Sequence, residues 1–121
     1  MTTGTLHGRI ALVTGGSRGI GAAIVRSLAQ VGAAVAVNYR ERASEANALV
    51  KAINDAGGHA IAIAADVSQA DAVAQMVQRV KSDLGPIDIL INNAGRISIL
   101  CAWLSATIYR NLQPSEILQP G

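Results

Sequence analysis

The sequence has no Phe, one Trp and two Tyr. A core without aromatic bulk must be filled by aliphatic side chains. Half of the chain is hydrophobic, chiefly Ala, Val, Ile and Leu, the usual filling of helices packed on a parallel sheet. The single cysteine, Cys101, excludes an internal disulfide and any metal site built from four cysteines. Charged residues make up only 15%, no run of Lys or Arg occurs, and the formal net charge is +2. So small a surplus fits an ordinary solvated surface and argues against a nucleic-acid partner. No apolar stretch approaches the roughly 18 residues of a membrane span. Met1 to Arg9 holds no basic segment leading into an apolar run. The expected setting is the cytoplasm, with no membrane partner. The length, 121 residues, suits one domain.

Short apolar runs alternate with helical patterns along most of the chain. Ile10 to Val13 reads as a buried strand ending in Thr14-Gly15-Gly16. Ile20, Ile24, Val25 and Leu28 then recur at helical spacing before Gly32. Ala34 to Val37 is a second strand, and Ala46, Leu49, Val50 and Ile53 form a second helix face over Ala43 to Ala56. Ala60 to Ala64 is a third strand. Ser68 with Asp71 reads as a capping box starting a helix with Val73, Met76, Val77, Val80 and Leu84 inward. Gly85-Pro86 stops it, and Ile87 to Ile91 is a fourth strand. The pattern predicts an α/β fold: a doubly wound parallel (Rossmann) sheet in the order 3-2-1-4, truncated after the fourth strand. The expected division is a half-domain over 1–95 and an atypical tail over 96–121. Within the tail, Ile97 to Leu112 could form one helix, and Gln113 to Gly121, with two prolines, reads as a loose end.

Four short segments carry the chemistry. Gly15, Gly19 and Gly21 sit between the first strand and the first helix. A glycine turn there lets a pyrophosphate approach the backbone, and the helix N-terminus offers N–H groups and partial positive charge. Gly21 lets the helix pack close to the sheet; a tight turn without ligand is the other reading. At the end of the second strand stand Asn38, Tyr39 and Arg40, all three candidates for cofactor binding, with no acid among them. An acid there would bind the 2′-hydroxyl of NAD, and a base the 2′-phosphate of NADP. Arg40, with Arg18 from the glycine loop, points to NADP in preference to NAD, unless both arginines are simply solvated. Glu41 is the counter-argument; it is expected to start the following helix, where an acid is favoured anyway. Asp66 can accept from the adenine amino group while Val67 packs on the ring, or Asp66 is a plain loop residue. In Asn92-Asn93-Ala94-Gly95 the two amides can tie neighbouring loops together, and Ala-Gly leaves room for a sugar; alone, the tetrapeptide is only a turn signal.

Together these residues resemble the short-chain dehydrogenase/reductase family. Its Thr-Gly-x-x-x-Gly-x-Gly motif is met by Thr14 to Gly21, its Asp after the third strand by Asp66, and its Asn-Asn-Ala-Gly by Asn92 to Gly95. The likeness runs from about Leu6 to Gly95 and is similar to NADP-preferring members such as 3-oxoacyl-(acyl carrier protein) reductases. The resemblance implies that Ser17, Arg18 and Ile20 line the phosphates and ribose and that Arg40 meets the 2′-phosphate. It further implies Asp66 and Val67 at the adenine, Asn93, Ala94 and Gly95 at the inner ribose, and homo-oligomeric full-length relatives.

The family's proton-transfer residues are a Tyr with a Lys four residues later, a Ser and an Asn. A phenol with a pKa near 10 needs such a cation to shuttle protons at neutral pH. Here Tyr109 is followed four residues later by Gln113, and no Lys follows Lys81. No catalytic residue and no metal ligand are assigned. The likeness breaks off near Arg96, as a frameshift or truncation would make it. Two functions compete: an NADP(H)-dependent oxidoreductase acting on a carbonyl or hydroxyl compound by lineage, and a non-catalytic nucleotide-binding fragment or product without function. The substrate is unknown.

Overall fold

In a computed structural model of the chain, residues 5–16, 19–93 and 117–118 are described. The elements are β1 (Ile10–Thr14), α1 (Gly19–Gln30), β2 (Ala34–Tyr39), α2 (Ala43–Asp55), β3 (His59–Ala64), α3 (Ala70–Asp83), β4 (Ile89–Asn92) and the short β5 (Ile117–Leu118). The sheet is parallel throughout and runs β3-β2-β1-β4-β5. The expected 3-2-1-4 order and doubly wound class are both present.

Strand alternation sorts the core into two layers. Ala11 and Val13, Val35 and Val37, and Ile89 and Ile91 point to one face, where Val25 of α1 and Leu49 and Ile53 of α2 cover them. Leu12, Ala36, Ile63 and Leu90 point to the other, under Val73, Met76 and Val80 of α3. Both faces are therefore buried, which is why the central strands read as unbroken apolar runs and not as alternating ones. Asp88 fixes the start of β1: its Oδ2 accepts from the Ile10 N–H at 2.9 Å, and its own N–H donates to the Ile10 carbonyl at 2.8 Å.

Three expectations are corrected. Ser68 does not cap α3, which starts at Ala70 behind Gln69 with no side-chain cap; the Ser68 hydroxyl turns back to Asp66 at 2.6 Å. Donating to that carboxylate orients the hydroxyl back along the chain and away from the helix N–H groups. Glu41 does not start α2 either; it lies exposed in the connection, and the acid in the first turn of α2 is Glu45, paired with Arg42 at 3.0 Å. Ile20, one of the apolar positions that recur along α1, is 71% exposed at the first turn of that helix. Finally, Ile117–Leu118 was expected within a loose end. It instead pairs in parallel with β4, Leu90 opposite Ile117 and Ile91 opposite Leu118. An open β4 edge with apolar neighbours is a template for any extended segment that can reach it. The candidate helix over 97–112, with Cys101, Trp103 and Tyr109, lies outside the described residues.

Candidate functional site

The order β3-β2-β1-β4 reverses chain direction across the sheet at β1: α1 leads from β1 to β2 on one side, while α3 brings the chain round to β4 on the other. Open α/β sheets bind ligands in the crevice at the C-terminal strand ends of such a point. The candidate residues gather along that edge.

The β1–α1 turn is built from glycines for two separate reasons. Gly15 and Gly19 have φ of +63° and +61°, the left-handed region that side chains resist. Gly21 is held by crowding: a Cβ there would stand 2.6 Å from Asn93 Nδ2 and 2.9 Å from the Gly16 Cα. At Gly19 an added Cβ would meet nothing within 4 Å among the described residues. The turn therefore packs tightly inward and stays open outward, just where the first N–H groups of α1 have no partner within their own helix. Ile20 stands exposed beside it. Ser17 and Arg18 lie outside the described residues.

Thr14 and Asn93 lock this turn to the end of β4. The buried Thr14 hydroxyl accepts from the Asn93 N–H at 2.9 Å and donates to Asn92 Oδ1 at 3.1 Å. Asn93 Nδ2 donates to the Gly15 carbonyl at 3.2 Å. The reading of the paired amides as loop ties thus has a geometry; Ala94 and Gly95 lie outside the described residues. Thr14 received no role of its own from sequence, although a hydroxyl stands immediately before the glycines.

Asn38 faces inward. It is 3% exposed, with its Oδ1 accepting from Gly15 N–H at 3.2 Å and its Nδ2 donating to the Ala65 carbonyl at 3.1 Å. Tyr39 is half-buried, its carbonyl accepting from Ala65 N–H at 2.9 Å. Arg40 turns outward, with a side chain 71% exposed, and its Nη2 lies 3.5 Å from Asp66 Oδ2. Asp66 Oδ1 accepts from both the hydroxyl and the N–H of Ser68, at 2.6 and 2.9 Å. Those two bonds, and then the Arg40 charge, hold the Asp66 carboxyl below its ordinary value. The residues read separately as phosphate and adenine contacts are therefore neighbours. Val67, half-buried, packs against the layer under α3.

Among the described residues no group of three or more His, Cys, Asp or Glu could hold a metal, and no helix is long and apolar enough to cross a membrane.

The chain is similar to several known proteins. An uncharacterized oxidoreductase of Methylorubrum extorquens is 51% identical over 90 residues, which is 74% of this chain and 36% of that protein. A short-chain dehydrogenase/reductase homolog of Bacillus subtilis is 52% identical over 86 residues, 71% of this chain and 79% of its own shorter length. A 3-oxoacyl-[acyl-carrier-protein] reductase of Synechocystis is 46% identical over 90 residues and is covered over 36% of its length. Among solved structures, a short chain dehydrogenase from Burkholderia cenocepacia in complex with NADP superimposes with a TM-score of 0.87 at 39% identity. That match covers 96% of this chain and 56% of the other. The chain thus spans about a third of the first of these relatives and just over half of the solved neighbour. The family model described as short chain dehydrogenase matches residues 9–112. With its glycine turn, its paired amides and its strand order all in place, the chain belongs to the short-chain dehydrogenase family of oxidoreductases.

Proposed function

We propose that this chain binds a nicotinamide dinucleotide along the C-terminal edge of the sheet, NADP in preference to NAD, with residues 1–95 as the binding unit. The observation that carries this reading is the glycine turn, crowded at Gly21 on its inner side and open at Gly19 on its outer side, at the start of α1. Such a cradle suits a pyrophosphate, which needs close backbone approach and a positive field. In this reading Gly15, Ser17, Arg18, Gly19, Ile20 and Gly21 surround the pyrophosphate and its neighbouring ribose. Arg40, reinforced by Arg18, meets the 2′-phosphate. Asp66 and Val67 hold the adenine, and Asn93, Ala94 and Gly95 border the inner ribose. When bound, the dinucleotide supplies the hydride chemistry; the chain's own residues bind and orient it.

The NADP-bound state of the Burkholderia structure supports the choice of cofactor class, and the outward-facing Arg40 supports NADP over NAD. The lineage is that of enzymes moving hydride between a dinucleotide and a carbonyl or hydroxyl compound. Within these 121 residues, however, no Tyr is followed four residues later by Lys. We propose that the chain by itself binds dinucleotide without turning substrate over. The experiment is an NADPH oxidation assay of the purified 121-residue chain on a panel of ketones and 3-oxoacyl thioesters, with NADPH binding measured on the same sample. Binding without turnover is expected. Turnover above the uncatalysed rate would overturn the second statement, and absence of binding the first.

A further inference from the structure

Asn38 is a buried polar residue at the end of β2; its side-chain oxygen meets main chain after β1 and its side-chain nitrogen meets main chain at the end of β3, with a further 3.5 Å contact to the Tyr39 carbonyl of its own strand. Its Oδ1 accepts from Gly15 N–H, after β1, at 3.2 Å. Its Nδ2 donates to the carbonyls of Ala65 at 3.1 Å and Ile63 at 3.5 Å, at the end of β3. Its own carbonyl accepts from Gly16 N–H at 3.0 Å. The Ala65 N–H donates to Tyr39, so both polar groups of the residue before Asp66 are fixed by β2.

We propose that Asn38 is a positioning residue for the dinucleotide. One side-chain amide sets the distance between the glycine turn and the Asp66–Val67 loop, and so between the seats of the pyrophosphate and the adenine. This rests on the dinucleotide reading given above; the Asn38 side chain, read from sequence as a cofactor contact, here acts through the main chain it holds. The main-chain bond from Gly16 would survive any substitution; the two side-chain arms would not. Only an amide has an acceptor and a two-hydrogen donor in one plane, which is what this position uses. A hydroxyl is too short, and a carboxylate would set its second oxygen against the Ala65 carbonyl. Because 3% of Asn38 is exposed, loss of the amide leaves part-buried main-chain groups without these partners and loosens the spacing of the two loops, each then held to β2 by main-chain bonds alone.

The consequence is specific to ligands that span both loops. A ligand seated on one loop alone is indifferent to the spacing; the whole dinucleotide is not. The test compares the parent chain with Asn38→Leu, which keeps volume and removes both arms, and Asn38→Asp, which keeps shape and loses the donor. Affinities are measured for NADP, for adenosine 2′-monophosphate and for inorganic pyrophosphate. Asn38→Leu should weaken NADP by about tenfold or more while each half-ligand stays within about threefold, since orientation matters only where two seats must be met together. Asn38→Asp should weaken NADP in the same sense and serves if the leucine variant does not fold. Unchanged NADP affinity, or equal losses for all three ligands, would overturn the proposal. If the parent binds none of the three, the dinucleotide reading fails by itself and amide exchange decides the brace. The Gly15 N–H should exchange faster in Asn38→Leu while Gly16 stays protected, and unchanged Gly15 exchange would refute it.

Discussion

Arg40 and Asp66 face each other across the ends of β2 and β3, guanidinium Nη2 to carboxylate Oδ2 at 3.5 Å. Sequence reading placed the first against a 2′-phosphate and the second against an adenine. Their proximity makes them competitors as well as partners, since a phosphate arriving at Arg40 must share it with a carboxylate already there. The pair is solvent-exposed on the Arg40 side, so the competition is mild.

Asp66→Asn should therefore raise the preference for NADP over NAD. The amide keeps an oxygen for the Ser68 N–H and releases Arg40. Exposed ion pairs of this kind are worth about 0.2–1 kcal/mol, so the ratio of NADP to NAD affinity should rise roughly one-and-a-half- to fivefold. Isothermal titration with both oxidised cofactors reads it directly. A fall in the ratio would show that Asp66 supports the phosphate site.

The pH dependence separates the two groups. The folded-state value of Asp66 is depressed, so its contribution is in place above the ordinary carboxylate value of 3.8 and is lost as pH falls through the lower folded value. Asp66 thus stays ionised over the neutral and mildly acidic range. A phosphate monoester takes up its second proton near about pH 6. From about pH 8 down to about pH 5, NADP affinity should decline while NAD affinity stays level, as the phosphate loses charge opposite Arg40. A parallel decline in NAD affinity would place the titrating group on the protein.

Two glycines of the turn should fail differently. Gly19→Val puts a branched side chain at φ +61° but into open space. The strain is about 1–2 kcal/mol, tolerable for folding, yet the side chain occupies the phosphate seat. NADPH binding should vanish while the circular-dichroism spectrum persists. Gly21→Ala drives a methyl into the Gly15 carbonyl oxygen first, and then toward the Asn93 amide and the Gly16 Cα, and overpacking of this kind costs about 1–3 kcal/mol. A lower Tm is the expected reading for Gly21→Ala. A Gly19→Val chain that folds and still binds would remove the turn from the site.

The short β5 covers part of the β4 edge. Replacing Ile117 and Leu118 together by proline removes their N–H groups from any ladder. The bare edge, flanked by apolar side chains on both faces, should then recruit other chains. Size-exclusion chromatography with light scattering should show a shift to larger species relative to the parent. An unchanged elution profile would mean that β5 does not protect the edge.

The four main strands, the three helices and the strand order were legible because each rests on a repeating signal. Ala11, Val13, Val35 and Val37 are buried on one face and Leu12 and Ala36 on the other, so a simple apolar run was enough. Helix faces such as Val73, Met76 and Val80 repeat at helical spacing in the same way. The glycine turn was legible as a motif, but the reasons for its members were not. That Gly21 yields room to Asn93, 72 positions away by subtraction of the two numbers, is a tertiary fact. Asn38 was read as a cofactor contact beside Arg40, because nothing local shows that its side chain turns inward to Gly15 and Ala65. Ser68 misled for a related reason: capping rules weigh a hydroxyl against the helix ahead, whereas Asp66, two residues back, offered a charged acceptor at 2.6 Å. The pairing of Ile117–Leu118 with β4 carries no local signal at all.

The most direct test of a dinucleotide seat at this glycine turn is a fluorescence titration of the purified chain with NADPH and NADH, repeated with Arg40→Asp. Saturable one-to-one binding of NADPH is expected. NADH should bind about ten- to a hundredfold more weakly, a gap that Arg40→Asp closes or reverses, as a charge-assisted contact of about 1.5–3 kcal/mol requires. Absence of saturable binding, or equal affinity of the parent chain for the two cofactors, would contradict it.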